Sequence, residues 1–209
     1  MPAYFDITFS YEYSCLQPNF VDQIYSIFFN NGFAFKQAYN EDSITLKEII
    51  EWNQSRLEKK FKLGYTQKAK YDYKQICFTR DGYEELRAFW IYSNNEINLT
   101  LITPEYDVLV NGHSEAGFLF SNSKLIPFIE LSKEIWRETN VTAIQTALEF
   151  DGGVKRLSKL ISGKEEPLVH PFAIVKSGVC KELSGIHSQY IQKEGILLID
   201  KKLIQVMKA

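Results

Sequence analysis

The segment 83–103 reads YEELRAFWIYSNNEINLTLIT, and its reading decides the fold. Two β-like runs, Tyr83–Ser93 and Glu96–Thr103, flank Asn94-Asn95. Such a pair of turn residues between alternating runs predicts a hairpin. A third run, Tyr106–Val110, follows Pro104. A helix-like run, Leu125–Thr139, then leads into Val141–Phe150, where Thr142, Ile144, Thr146, Leu148 and Phe150 share one face at period two. Together these predict a meander of antiparallel strands with a helix laid over one face.

Toward the N-terminus, Tyr4–Tyr13 alternates strictly, with Phe5, Ile7, Phe9, Tyr11 and Tyr13 on one face. That is the pattern of a half-buried strand. Pro18-Asn19 opens a helix with Asn19 as the expected cap. Phe20, Ile24, Ile27 and Phe28 form its apolar side, and Gly32 ends it. Phe33–Tyr39 reads as a strand. Thr45-Leu-Lys-Glu48 fits a capping box for a helix through Phe61. Tyr71–Arg80 reads as a partly exposed strand, joined to the meander by Asp81-Gly82.

Beyond the meander lies a polar connection, Asn111–Lys124, and Pro127 is placed in the first turn of the next helix. Val154–Ile161 reads as a short helix. Phe172–Lys176, Gln189–Gln192 and Gly195–Asp200 read as short strands, with a helical turn at Lys181–Ile186. The fold class expected is therefore α+β. An antiparallel sheet carries two or three helices mainly on one face, with a ferredoxin-like flavour. Residues 1–163 form the core domain, and 164–209 form a β-rich C-terminal extension or subdomain.

The chain has 209 residues, 45% of them hydrophobic, and a net charge of −2. This suits a folded protein with a substantial core and no strong overall pull toward nucleic acid or membrane. Charge is uneven. From Arg56 to Arg80, eight basic residues against two acidic ones give +6, which leaves −8 for the rest. No apolar run approaches the length of a membrane span. Cys15, Cys77 and Cys180 are odd in number and widely spaced, which predicts reduced thiols and a cytoplasmic location. The first residues have no basic stretch followed by an apolar core, so no signal peptide is expected.

Chemistry-bearing patterns are sparse. His113, His170 and His187 stand at no metal-ligand spacing, so no metal and no cofactor are expected. Cys180 with His187, and the stretch His113–Glu115, are the places where an unrecognised catalytic site would sit; a non-enzyme is the expectation. Lys59, Lys60, Lys62, Lys68, Lys70 and Lys74 interleave with Phe61, Tyr65, Tyr71, Tyr73 and Phe78. Cations among stacking rings are what single-stranded nucleic acid requires, so a nucleic-acid-binding or phage-encoded regulatory protein is the alternative reading. Glu149 and Asp151 are read as sharing one strand face.

In size, α+β order, aromatic content and lack of a catalytic motif, the chain resembles the immunity proteins of bacterial polymorphic toxin systems. The resemblance implies a cytosolic inhibitor that binds a cognate toxin and occludes its active site. Acidic residues in and around the meander (Asp81, Glu84, Glu85, Glu96, Glu105, Asp107) would suit a basic partner. The expected partner-binding residues are Tyr83, Glu84, Glu85, Glu105, Tyr106 and Asp107.

Overall fold

The structure is a computed structural model, and it describes residues 3–41, 43–62, 69–110, 118–179 and 183–205. The chain begins with strand β1 (Tyr4–Glu12), helix α1 (Phe20–Asn30), strand β2 (Ala34–Ala38) and helix α2 (Leu46–Glu58). Strands β3 (Ile76–Thr79), β4 (Leu86–Ser93) and β5 (Glu96–Pro104) follow. The short strand β6 (Phe120–Ser121) leads into helix α3 (Asn122–Glu138) and strand β7 (Ala143–Leu148). Helix α4 (Leu157–Ile161) precedes β8 (Phe172–Lys176), β9 (Ile186–Ile191), β10 (Gly195–Asp200) and β11 (Ile204–Gln205). Nine strands form one antiparallel sheet in the order β2-β3-β4-β5-β1-β7-β8-β10-β9, and β6 pairs with β11 separately. The fold is α+β, and the strands beyond residue 164 continue the sheet outward from β7.

The central strand β1 explains the layering. Its residues Phe5, Ile7, Phe9 and Tyr11 are buried on the side carrying α1 and α3. There Phe9 meets Phe28 at 6.1 Å, Tyr11 meets Phe20 edge-on at 5.0 Å, and Phe5 meets Phe128 at 6.1 Å. On its other side Thr8 shares a hydrogen bond with Thr100 (3.1 Å), and the Ser10 hydroxyl donates to Asn98 (2.7 Å). That polar side is covered at its β7–β8 end by a strap, residues 149–170, which includes α4. Leu157 and Leu160 of α4 close a second small core with Ala173, Val175, Ile196 and Leu198.

Local signals hold where neighbours in sequence suffice. Asn94 and Asn95 take φ of 51° and 64°, as a two-residue hairpin turn requires, and join β4 to β5. Thr45 and Glu48 form the capping box of α2, which holds the Glu48 carboxyl below its ordinary range. Helix α1 differs. The Asn19 side chain makes no capping bond, and the Val21 N–H instead donates to Gln54 Oε1 (3.1 Å), supplied by α2. Deeper in the core, Trp90 Nε1 donates to the Tyr25 hydroxyl (2.8 Å). Asn53 on α2 exchanges two hydrogen bonds with the Lys74 backbone, tying α1 and α2 to the approach to β3.

Several expected boundaries shift. Only Ile76–Thr79 of 71–80 is strand, because Ala69–Tyr71 forms a 3-10 turn and Lys74 is bound to Asn53. Strand β4 starts at Leu86 rather than Tyr83. Tyr106–Val110 is not a strand: Glu105–Asp107 winds into a 3-10 turn directly after Pro104. Helix α3 starts at Asn122, so Pro127 lies at its sixth residue instead of its first turn. Helix α4 spans five residues and β9 starts at Ile186. Strand β7 ends at Leu148, and Glu149–Asp151 is a 3-10 turn, so Glu149 and Asp151 share no strand face. Phe150, expected to share a strand face with Ile144, Thr146 and Leu148, lies in that turn and is 79% exposed. The first two residues of the expected turn at Lys181–Ile186, and residues 111–117 of the connection Asn111–Lys124, lie outside the described residues.

Candidate functional site

One corner of the sheet gathers five of the six residues singled out in the meander. Two chain segments make it: the connection Arg80–Glu85 between β3 and β4, and the 3-10 turn after β5. Gly82 permits the first turn with φ of 87°, and its carbonyl accepts from the Lys124 ammonium. The Tyr83 ring packs on Phe128 of α3 at 5.0 Å, and its hydroxyl donates to the Lys124 carbonyl. Tyr83 therefore anchors the corner and is half-buried. Asp107 Oδ2 accepts from the Glu84 N–H (2.8 Å) and from the Thr103 hydroxyl (3.0 Å), which locks the two segments together.

Above that lock sits Tyr106, 53% exposed. Its hydroxyl is hydrogen-bonded to the Glu84 carboxylate. That bond, with the nearby charges of Glu84, Asp107 and Glu85, pushes the phenol up to about 12. Glu84 is exposed. Glu85 lies 3.7 Å from Arg87, which is itself stacked on the Tyr39 ring at 4.1 Å. The result is an exposed ring beside carboxylates, bonded through its hydroxyl to Glu84 and set on a turn that Asp107 locks. Glu105 is placed differently: it is 6% exposed and turned into the fold. Glu96 is also buried, where its carboxylate accepts from the N–H groups of Leu157 (3.2 Å) and Ser158 (2.9 Å) at the start of α4. Both were expected on the acidic surface, and neither is part of it.

The basic stretch is less available than its composition suggested. Lys59, Lys60, Lys62 and Lys70 are exposed, while Lys74 is half-buried and ion-paired with Glu41. Lys68 lies outside the described residues. Tyr65 lies outside the described residues as well, and several rings in and around the stretch are already engaged. Lys60 covers Tyr13 at 4.3 Å, Lys62 covers Tyr92 at 5.5 Å and Arg56 covers Phe61 at 5.0 Å. Tyr73 and Phe78 are buried. Tyr71 alone among the described rings of 56–80 keeps a largely open face, and Lys70 lies 5.0 Å from it. A stacking platform needs rings whose faces are free.

Sequence spacing missed one cluster of titratable side chains. His170 Nδ1 lies 2.5 Å from Asp151 Oδ2, which also accepts from the Leu148 N–H (2.7 Å). The His170 ring is edge-on to Phe120 at 5.6 Å. Asp6 stands nearby, its Oδ1 buried and without a hydrogen-bond partner. Burial first, and the Asp151 charge second, push the Asp6 carboxyl up to about 7. Nineteen residues separate Asp151 from His170, and no local pattern signals their meeting. His113 and Cys180 lie outside the described residues, and His187 is exposed on β9. No group of three or more His, Cys, Asp or Glu residues that could hold a metal occurs among the described residues. Among those residues, no helix is long and apolar enough to cross a membrane.

No family model matches the chain, and neither does any curated protein. Among solved structures it is similar to the Pseudomonas aeruginosa T6SS protein PA0821, with 8% sequence identity and a TM-score of 0.41 over 95% of this chain. The chain spans 64% of that protein's chain.

Proposed function

We propose that this protein is a non-catalytic binding protein, an immunity-type inhibitor that docks its acidic corner on a basic surface of a partner toxin. The observation that carries the reading is the Glu84–Tyr106–Asp107 arrangement. An exposed aromatic ring is held by a carboxylate, and the turn beneath it is locked by Asp107. Aromatic anchors dominate binding energy at protein interfaces, and flanking carboxylates steer a cationic partner. A site already fixed in the free protein also loses little conformational freedom on binding. Glu84, Glu85, Tyr106 and Asp107 form the contact set, with Tyr83 as its internal support.

The covered Phe61 ring and the buried Tyr73 and Phe78 favour this reading over nucleic-acid binding. The test is co-purification from the native host, identification of the bound protein by mass spectrometry, and reconstitution of the pair. A basic partner whose activity is blocked by the wild type and not by Tyr106→Ala supports the reading. A reconstituted partner indifferent to changes at Tyr106, Glu84 and Glu85 removes it. So does salt-sensitive binding to single-stranded nucleic acid that is lost on reversing Lys59, Lys60 and Lys62.

A further inference from the structure

The nine-stranded sheet ends in two edges of opposite character. At one edge, β2 is interrupted by a bulge between Phe35 and Gln37 and carries the exposed Lys36. A bulge and an edge lysine are two of the devices by which proteins prevent strands from pairing with an open edge. At the other edge, β9 pairs only with β10, in unbroken register over six residues from Ile186 to Ile191. That strand reads Ile-His-Ser-Gln-Tyr-Ile, with no Lys, Arg, Asp, Glu or Pro. His187, Ser188, Gln189 and Tyr190 are exposed, Tyr190 at 77%. Among the described residues nothing pairs with its outer side.

We infer that β9 is a self-association edge, which pairs antiparallel with β9 of a second copy of this chain to continue the sheet across a two-fold axis. The strand is its own complement. Centred on Ser188, the pairing sets Ile186 opposite Tyr190 of the second copy and His187 opposite its Gln189. These are a β-branched–aromatic pair and a polar pair, with no like charges facing. A two-fold axis perpendicular to the sheet keeps the helices of both copies on one side. There, a groove of about 350 Å³ runs between α3 and β9 and is lined by Glu130, Lys133, Glu134, Arg137, Gln189 and Ile191. The α3 side of that groove alternates acid and base. Within each copy Glu130 pairs with Lys133 (2.9 Å) and Glu134 with Arg137, so a two-fold contact brings charge-balanced surfaces together rather than like charges. This inference is independent of the acidic corner, which is built from β3–β5 and not from this edge.

The experiment is light scattering coupled to size exclusion on the whole chain, beside the double variant Ser188→Lys/Tyr190→Lys. Both positions are exposed, so the variant keeps its fold, and in the register centred on Ser188, as in one centred on Gln189, new ammonium groups meet across the axis. The expected result is twice the monomer mass for the wild type and the monomer mass for the variant, with the same circular dichroism spectrum. A wild type that stays monomeric at its highest soluble concentration overturns the inference, as does a variant that remains dimeric. If the variant does not fold, hydrogen exchange of the wild type decides. Protection of β9 amides that rises with protein concentration supports the pairing, and concentration-independent exchange overturns it. A monomer whose β9 is protected only by an added foreign strand also overturns it.

Discussion

The carboxylate of Asp151 and the imidazole of His170 meet at 2.5 Å and close the two ends of the strap that covers the polar side of β1. Between those ends the strap is pinned at two further points. Gln145 Oε1 accepts from the N–H groups of Lys155 (3.2 Å) and Leu168 (3.0 Å), and Glu96 holds the start of α4. Replacing His170 by Ala leaves Asp151 half-buried, with the Leu148 N–H as its remaining donor among the described residues. The expected loss of stability is about 1–3 kcal/mol, the range for a buried polar partner left unpaired. Amide exchange should quicken from residues 149 to 170 and stay unchanged in β4 and β5. Uniform exchange across both regions would show that the pair does not act as a clasp.

Asp6 gives the fold a pH dependence of defined sign. Its carboxyl is raised from 3.8 to about 7, by burial and then by the Asp151 charge. The folded state therefore holds a proton that the unfolded state has already released. Stability from this group is complete below pH ~4 and is lost as pH rises to about 7, an effect on the order of a few kcal/mol. Asp6→Asn keeps the shape and removes the charge. The variant should melt above the wild type at pH ~8 and match it near pH ~4. A gap between the two proteins that is the same at both pH values would contradict this account.

What could be read from the sequence follows distance along the chain. The alternation of β1, the Asn94-Asn95 turn and the Thr45–Glu48 box each involve residues a few positions apart, and each is present. The cap of α1 comes from Gln54, 33 residues after Val21, and the carboxylate at the start of α4 comes from Glu96, 61 residues before Leu157. No periodicity encodes such meetings. Glu96 and Glu105 look like Glu84 in sequence, and only the path of the chain separates two buried carboxylates from an exposed one. Tyr106 and Asp107 were expected in a strand. The 3-10 turn that replaces it is what lets Asp107 reach back to the Glu84 N–H.

Gly195 offers a sharp packing test. A Cβ built there would lie 2.4 Å from Trp136 Nε1 and 2.7 Å from Ile191 Cγ1. Trp136 is buried and donates to the Gln192 carbonyl at 2.9 Å, so it has little room to retreat. Gly195→Ala should cost about 1–3 kcal/mol through overpacking between α3 and the β9–β10 turn. A denaturation midpoint equal to the wild type's would mean that Trp136 yields easily. Gly152→Ala is the control for space, since nothing stands within 4 Å of its Cβ position; its φ of 77° leaves only the backbone penalty.

The acidic corner separates the contributions of ring and charge. Tyr106 is exposed and bound through its hydroxyl to Glu84, so truncation to Ala removes a ring and leaves the buried core intact. As an interface anchor it should cost 2 kcal/mol or more, roughly thirtyfold in affinity and mostly in faster dissociation. Tyr106→Phe keeps the ring and should lose far less. Glu84→Lys and Glu85→Lys reverse charge at exposed and half-exposed positions. They should slow association, with an effect that fades as salt is added, while thermal stability changes little. Asp107 behaves otherwise, because its carboxylate holds the Glu84 N–H and the Thr103 hydroxyl. Asp107→Lys should lower stability as well as binding. Surface plasmon resonance against the purified partner, with the dissociation and association phases fitted separately, tests the division. If Tyr106→Ala and Glu84→Lys change the same rate constant by the same factor, ring and charge do not have the separate roles assigned to them here.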